Sequence, residues 1–185
     1  MYYELMSTKT LLTADELEQM PDDDSVQIEL DEGELITMPP AGEDHGYVEV
    51  EIASVLWNFV KKHKLGRVYA GDTGFRLSDS TVRAPDVAFV RRERVQALRS
   101  QGFANGAPDL AIEIRSESES FRQLTRKVKQ YLAAGCQVVL VVNREPQQID
   151  VFKADGSEHT LRARDVLKIP EILPGFSVKV ADLFK

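Results

Sequence analysis

Two Pro-Asp dipeptides and one glutamate are the residues of this sequence whose types and spacing best suit cation binding. Pro85-Asp86 opens one predicted strand, Pro108-Asp109 opens another, and Glu113 lies within the second of these strands. Carboxylate oxygens are the ligands that hard divalent cations prefer. A charged residue on a strand whose opposite face is apolar is costly unless it is solvated or bound to something. These acids are therefore candidates for a metal site.

The geometry of a strand decides which aspartate can share a cation with Glu113. Asp109 lies on the same strand, about 13 Å away at roughly 3.3 Å per residue, which is too far for one ion to bridge. If strands 86–91 and 109–115 are antiparallel neighbours, Asp86 lies across from Glu113. We therefore pair Asp86 with Glu113 and interpret Asp109 as a strand opener. The simpler alternative is that both paired acids are strand-edge residues without a ligand.

Hydrophobic periodicity and turn residues predict the elements that position these acids. The predicted helices are Thr13 to about Gln19, Glu43 to Leu65, and about Glu119 to Ala134. The predicted strands are 25–30, 34–38, 67–70, 75–77, 86–91, 109–115, 138–143, 148–153, 157–162 and 176–180. This order is typical of an α/β (α+β) fold in which helices flank a mixed β-sheet. We expect one domain over residues 1–185, with residues 1–42 as an N-terminal helix and hairpin packed on the core.

Five segments stand out by their order and spacing: Ile28–Leu35, His45, Ala84–Val87, Ala107–Ser116 and Lys127–Gly135. Together they resemble the Uma-two family of restriction endonuclease-like proteins, which belongs to the PD-(D/E)XK nuclease superfamily. The resemblance extends from about Leu11 to the C-terminus. It implies a restriction endonuclease-like core with an extra N-terminal β-hairpin. It also implies hydrolysis of DNA phosphodiester bonds with Mg²⁺ or Mn²⁺ as the cofactor.

The resemblance implies a role for each matching residue. Asp86 and Glu113 would be metal ligands, and Glu29, or less favourably Glu34, would supply a third carboxylate. His45 would lie at the mouth of the site. The simpler explanation of His45 is a surface ion pair with Glu49, four residues later. A solvated edge strand would equally explain the two hairpin glutamates.

The lysine of the superfamily motif normally lies two residues after the acid, where this chain has Arg115. Arginine stays protonated near neutral pH, so it can hold a phosphate but is a poor base. The resemblance places the lysine on the following helix, four residues before a tyrosine, which gives Lys127 and Tyr131 here. Lys127 would orient or help deprotonate the attacking water. The extra acids within Ser116–Ser120 favour the alternative of a catalytically silent nuclease fold that acts in binding or assembly.

The formal net charge of −7 hides an uneven distribution along the chain. Residues 1–44 hold 13 acids and one base, whereas residues 45–185 hold 17 acids and 22 bases. Basic stretches at 61–67, 91–99 and 122–129 suit contact with a phosphate backbone. We therefore expect weak, salt-sensitive DNA binding, and a homodimer for double-strand cleavage. The overall acidity favours, as a weaker alternative, a hydrolase of small nucleotides.

Composition and apolar runs indicate the class of protein and its compartment. The 43% hydrophobic and 29% charged content excludes collagen-like, disordered and disulfide-scaffold classes. The longest apolar run, Val138–Val142, is too short to span a bilayer. The first residues lack the basic and apolar regions of a secretory signal, and the lone Cys136 excludes an internal disulfide. We expect a cytoplasmic protein that makes no membrane contact.

Overall fold

The computed structural model describes residues 11–21, 26–116 and 119–185. Its helices are α1 (Ala14–Glu18), α2 (Glu43–His63), α3 (Val95–Leu98), α4 (Phe121–Ala133) and a 3-10 helix, η1 (Val180–Phe184). Its strands are β1 (Gln27–Asp31), β2 (Glu34–Met38), β3 (Gly66–Ala70), β4 (Phe75–Ser78), β5 (Thr81–Arg83), β6 (Val87–Arg91), β7 (Ala104–Asn105), β8 (Leu110–Ile114), β9 (Val138–Asn143), β10 (Gln148–Lys153), β11 (Glu158–Arg162), β12 (Val166–Leu167) and β13 (Val178–Lys179). Ser25, the predicted start of the first strand, lies outside the described residues.

A six-stranded mixed sheet forms the centre, with the strand order β11-β10-β9-β8-β6-β3. Strands β8 and β9 pair in parallel, while β6 pairs with both β8 and β3 in the antiparallel sense. Every residue of β8 and β9 is buried. Such continuous apolar runs are typical of central strands that are covered on both faces. The predicted mixed sheet flanked by helices is confirmed.

A five-stranded sheet with the order β2-β1-β5-β4-β7 carries the predicted N-terminal hairpin. The two hairpin strands, β1 and β2, pair in the antiparallel sense up to Asp31 and Glu34. Gly33 turns the chain with a φ of +89°, a conformation that a side chain would strain. The short strand β5 was not predicted, because three residues are too few to show alternation. It places Arg83 beside the hairpin.

The two faces of the central sheet are covered by different helices. On one face, α2 packs Val48, Ile52, Leu56 and Val60 against residues that include Leu110, Ile112 and Ile114. On the other face, α4 packs Leu124, Val128 and Tyr131 against residues that include Ala111, Val139 and Val141. Because side chains alternate along a strand, Glu113 shares the α4 face with Ala111.

Apolar periodicity in the sequence predicts a buried stripe of Phe121, Leu124, Val128 and Leu132 on α4, and the structure differs from this stripe at both ends. Phe121 is 74% exposed, because it is the first residue of the helix and the packing of α4 on the sheet begins one turn later. Tyr131 is fully buried in place of Leu132, which is only half-buried. The prediction was wrong here because apolar periodicity does not show that a tyrosine hydroxyl has a buried partner.

Helix α2 ends earlier than the predicted Leu65, since Lys64 adopts a left-handed conformation with φ +56°. The sequence pattern favours Gly66 as the stop of this helix, but in the structure Gly66 is the first residue of β3. A Cβ atom at Gly66 would lie 2.0 Å from the backbone oxygen of Val90. The glycine is needed for this close approach of strands β3 and β6. The predicted final strand is also shorter, because 180–184 form the 3-10 helix.

Candidate active site

Asp86 and Glu113 are brought together by strands β6 and β8. The strands are antiparallel, with Val87 opposite Ile112. Asp86, which precedes Val87, and Glu113, which follows Ile112, are therefore neighbours. Oδ2 of Asp86 accepts a hydrogen bond of 2.5 Å from the backbone N–H of Ile114. The predicted antiparallel pairing of these strands is confirmed, and it places the two acids at one end of the sheet.

Glu113 is a buried carboxylate that is held by two side chains from α4. Tyr131 donates its hydroxyl to Oε1 at 2.7 Å, and Lys127 donates from Nζ to Oε2 at 3.1 Å. Burial raises the pKa of Glu113 to about 7, although Lys127 acts in the opposite direction. The negative charge of Asp86 contributes to the rise. Glu113 therefore lies in a setting where a bound cation would favour its ionised form.

Lys127 lies among three carboxylates. Besides Glu113, its Nζ lies 3.6 Å from Glu29 and 3.5 Å from Glu119. Burial on its own would lower the pKa of Lys127, but the three carboxylates together raise it above the ordinary lysine value. The raised pKa favours the protonated form of Lys127, which donates to Glu113. The spacing of Lys127 and Tyr131, one helical turn apart, lets both side chains reach Glu113.

Glu29 joins the cluster from the hairpin. Its carboxylate is fully buried, with Oε2 at 2.7 Å from the Arg83 guanidinium and Oε1 accepting the Ala84 backbone N–H at 3.0 Å. Glu34 lies at the turn end of the hairpin, opposite Asp31. The structure thus places Glu29, the favoured third acid, in contact with Lys127.

A second set of ligand-type atoms lies on the other side of Asp86. Nε2 of His45 lies 3.0 Å from Oδ1 of Asp86, and Glu49 follows His45 by one turn of α2. Ligand atoms of these three half-buried residues lie within 4.8 Å of one another. The hydrogen bond to Asp86 raises the pKa of His45, and burial raises the pKa of Glu49. Two acids and an imidazole at this spacing fit a divalent cation.

Glu49 is the residue of this set to which sequence reasoning assigned no role. It was interpreted only as a surface partner of His45. The signal that could have found it is the four-residue spacing, which places both side chains on one face of α2. That face is turned toward Asp86 because Val48 and Ile52 beside it pack on the central sheet.

Two other predicted residues lie apart from this cluster. Arg115 follows the end of β8 and has an exposed side chain, while its backbone N–H donates to Val142 at 2.9 Å. The positively charged side chain beside Glu113 is that of Lys127 rather than that of Arg115. Asp109, interpreted as a simple strand opener, is fully buried and paired with Arg91 at 2.8 Å and Arg94 at 3.1 Å. It anchors the segment that follows β6, at the opposite end of β8 from the cluster.

The fold of the chain has a counterpart among solved structures. It is similar to a solved structure described as "a putative nuclease belonging to DUF820" from Anabaena variabilis ATCC 29413, with a TM-score of 0.81. The two chains are 22% identical, and the similarity covers 94% of this chain and 97% of the other. At this level of identity the similarity shows the fold.

The particular family follows from the sequence. Residues 14–181 match the Uma2 (Uma-two) family, which is described as "Putative restriction endonuclease". The chain belongs to this family, and the resemblance inferred from its motifs is confirmed. No curated protein matches the chain. Within the described residues, none of the helices combines the length and apolar character that crossing a bilayer requires.

Proposed function

We propose that the chain is a metal-dependent endonuclease that hydrolyses DNA phosphodiester bonds with Mg²⁺ or Mn²⁺. The observation that supports this best is the position of Glu113, between Asp86 on the neighbouring strand and Lys127 on the covering helix. Two acids beside a protonated lysine suit a bound cation and a phosphate with which both the cation and the lysine can interact. The family membership agrees with this activity.

Each side chain then has a distinct task in the proposed reaction. When bound, the cation would lower the pKa of a water molecule and neutralise charge on the phosphate. Asp86 and Glu113 would hold it, while Tyr131 keeps the Glu113 carboxylate oriented through its 2.7 Å hydrogen bond. Lys127 would donate to the phosphate oxygens, where negative charge develops in the transition state. Glu29, for which the resemblance implies the role of a third metal ligand, would instead keep Lys127 in place, because Arg83 and the Ala84 backbone N–H already hold its carboxylate.

Cleavage of both strands of a duplex usually needs two such sites, so the proposal includes a homodimer. Sedimentation of the purified chain tests this part. A species of about twice the mass of 20.8 kDa is expected. A sedimenting monomer at the concentrations used for cleavage would contradict the dimer without affecting the proposed chemistry.

Plasmid nicking tests the proposed activity. Wild-type protein should convert supercoiled plasmid to the open circle with Mg²⁺ or Mn²⁺, and the conversion should stop when EDTA is added. Asp86→Asn should abolish it, whereas Asp155→Asn, at an exposed hairpin turn, should retain it. The proposal fails if wild-type protein shows no divalent-dependent cleavage of varied DNA and RNA, or if Asp86→Asn cleaves as wild type does.

A catalytically silent nuclease fold is the second candidate. One observation favours it: both oxygens of Glu113 are already engaged by Lys127 and Tyr131, so the cluster is satisfied without a cation. Calorimetric titration with Mn²⁺ separates the candidates. Tight binding that is lost in Glu113→Gln would support the enzyme. No heat of binding in the wild type would favour the silent fold.

A further inference from the structure

The basic residues of the chain are not equally available to a ligand. Those that face the acidic N-terminal segment are used in ion pairs with it: Arg76 with Asp15, Arg83 with Glu29 and Asp31, Arg126 with Asp31 and Glu32, and Lys127 with Glu29. The acids of residues 1–44 are therefore partly neutralised by the body of the chain. Any surface for a polyanion has to be sought among the remaining bases.

Such bases converge at the far end of edge strand β3. Lys64, Arg67 and Arg92 line an open groove of about 370 Å³ together with Gly66 and Val95. All three basic side chains are exposed, and the described part of the chain gives none of them an ion pair. The nearest acid in sequence, Glu93, instead lies 3.7 Å from Arg91. The groove therefore carries three unneutralised positive charges.

Strand register explains why these charges face the same way. Arg67 lies opposite Val90, and the Arg92 backbone N–H donates to Leu65 at 2.8 Å. Since alternate residues share a face, Arg92 lies on the face of Val90 and hence of Arg67. Lys64, the left-handed residue after α2, closes the groove from the helix side. Two of the basic stretches noted in the sequence thus form one surface.

The groove lies at the other end of β6 from the candidate active site, on the sheet face that carries Glu113 and is covered by α4. Alternation from Val90 through Ala88 leads to Asp86, beside Glu113. Arg67 lies opposite Val90, four residues from Asp86, and Arg92 lies six residues from Asp86, so the groove lies about 13–20 Å from the site at roughly 3.3 Å per residue. One strand of a DNA duplex advances about 3.4 Å per nucleotide. The separation therefore corresponds to roughly five base pairs.

We infer that Lys64, Arg67 and Arg92 bind backbone phosphates of duplex DNA roughly five base pairs from the scissile phosphate at the candidate active site. This inference rests on the proposed nuclease function and adds to it a second contact surface on the substrate. Guanidinium groups suit such contacts because their N–H groups match the geometry of phosphate oxygens. The contacts would position the duplex without reading its sequence.

The test compares Arg67→Gln/Arg92→Gln with a matched control, Arg162→Gln/Arg164→Gln. The control residues are also exposed arginines, but they lie on and just after β11, the opposite edge strand of the sheet. Binding of a fluorescent 30-base-pair duplex is followed by anisotropy at several salt concentrations. EDTA is present so that neither cleavage nor bound metal contributes. Because both pairs are at the surface, thermal melting should show that all variants remain folded.

Arg67→Gln/Arg92→Gln should bind the duplex roughly tenfold more weakly than wild type at low salt. Its slope of log K against log salt should be shallower by about two, because each lost phosphate contact reduces the slope by about 0.9. The control should match wild type in both. In plasmid nicking, Arg67→Gln/Arg92→Gln should raise KM and leave kcat unchanged, because the chemistry is at the other end of β6.

The outcomes separate this inference from the proposed function. Equal affinity and slope in wild type and Arg67→Gln/Arg92→Gln would overturn the inference, even if divalent-dependent nicking is intact. An equal loss of DNA affinity in Arg162→Gln/Arg164→Gln would overturn the inference too, because surface arginines outside the groove would then contribute as much to binding. Selective loss of affinity in a protein that never nicks DNA would support the binding surface and contradict the nuclease.

Discussion

Tyr131 donates its hydroxyl to Glu113 across a buried distance of 2.7 Å, and both side chains are almost completely shielded from water. The contact joins the covering helix α4 to the central strand β8. It also fixes one carboxylate oxygen of the acid that we propose as a metal ligand. Burial raises the pKa of Tyr131 well above its ordinary value, so the hydroxyl remains a donor throughout the neutral range.

Removal of the Tyr131 hydroxyl tests how much this contact stabilises the fold. Tyr131→Phe should lower the free energy of unfolding by roughly 1–3 kcal/mol, because it leaves a buried carboxylate oxygen without its donor. Urea denaturation measures the change. The control is Tyr69→Phe, whose half-buried ring packs on Phe75 and should change stability by less than about 0.5 kcal/mol. Equal effects of the two substitutions would contradict the assigned role.

The buried pair of Arg83 and Glu29 provides a second test. Arg83→Met should cost roughly 3–5 kcal/mol in urea denaturation, because it leaves the Glu29 carboxylate buried without its guanidinium. The control is Arg76→Met, which breaks a surface pair with Asp15 and should cost no more than about 1 kcal/mol. If Arg83→Met were as mild as the control, the pair would not be a structural anchor of the hairpin.

Lys127 can be separated from the other bases of its helix by activity. If the chain is a nuclease, Lys127→Met should lower kcat for plasmid nicking by roughly 10²–10³-fold, since it removes a donor aimed at developing charge. Lys129→Met, on the exposed face of α4, should leave kcat within about twofold of wild type. Circular dichroism should show that both variants fold. Equal rates in the two variants would show that Lys127 has no part in the chemistry.

The central part of the site could be predicted from the sequence because it depends on local rules. Strand alternation and the distance along a strand selected Asp86 over Asp109 as the neighbour of Glu113, and the pairing of β6 with β8 confirms this arrangement. The four-residue spacing of Lys127 and Tyr131 places both on one side of a helix. These features require only periodicity and a resemblance in motif order.

The supporting contacts could not be predicted, because they join segments that are distant in sequence. Arg83 meets Glu29 across 54 residues, and nothing in the local pattern of either segment shows the pairing. Asp109 was interpreted as a strand opener although it is a buried anchor for two arginines. Glu49 faces Asp86 only because α2 packs on the sheet in one orientation. Burial of polar side chains depends on such tertiary partners.

Metal binding should depend on Glu49 as well as on the acids of the sheet. In calorimetric titration, Glu49→Gln should weaken Mn²⁺ binding by roughly tenfold or more, because it removes one charged oxygen from the set that includes His45 and Asp86. The control is Glu43→Gln, an exposed residue of the first turn of the same helix. Unchanged Mn²⁺ affinity in Glu49→Gln would exclude this residue from the site.

Cys136 should be chemically inert in the folded protein. The thiol is completely buried, and burial raises its pKa to about 12. Since the thiolate is the reactive species, a disulfide reagent such as DTNB should not modify Cys136 at pH 8 until urea unfolds the chain. Rapid modification of the native protein would show that the strand it precedes opens easily.

The same pKa shift of Cys136 makes a signed prediction about stability. The unfolded thiol titrates near 9.0 and the folded one near 12, so above pH 9 the unfolded state loses its proton first. The contribution of the buried, protonated thiol to the free energy of unfolding is fully present below pH 9 and is lost as the pH rises toward 12. Each pH unit in this window should cost wild type up to about 1.4 kcal/mol more than Cys136→Ala. Urea denaturation of both proteins from pH 8 to 11 measures the difference, in which other titrating groups cancel. Parallel pH profiles would show that the thiol ionises as easily in the folded chain as in the unfolded one.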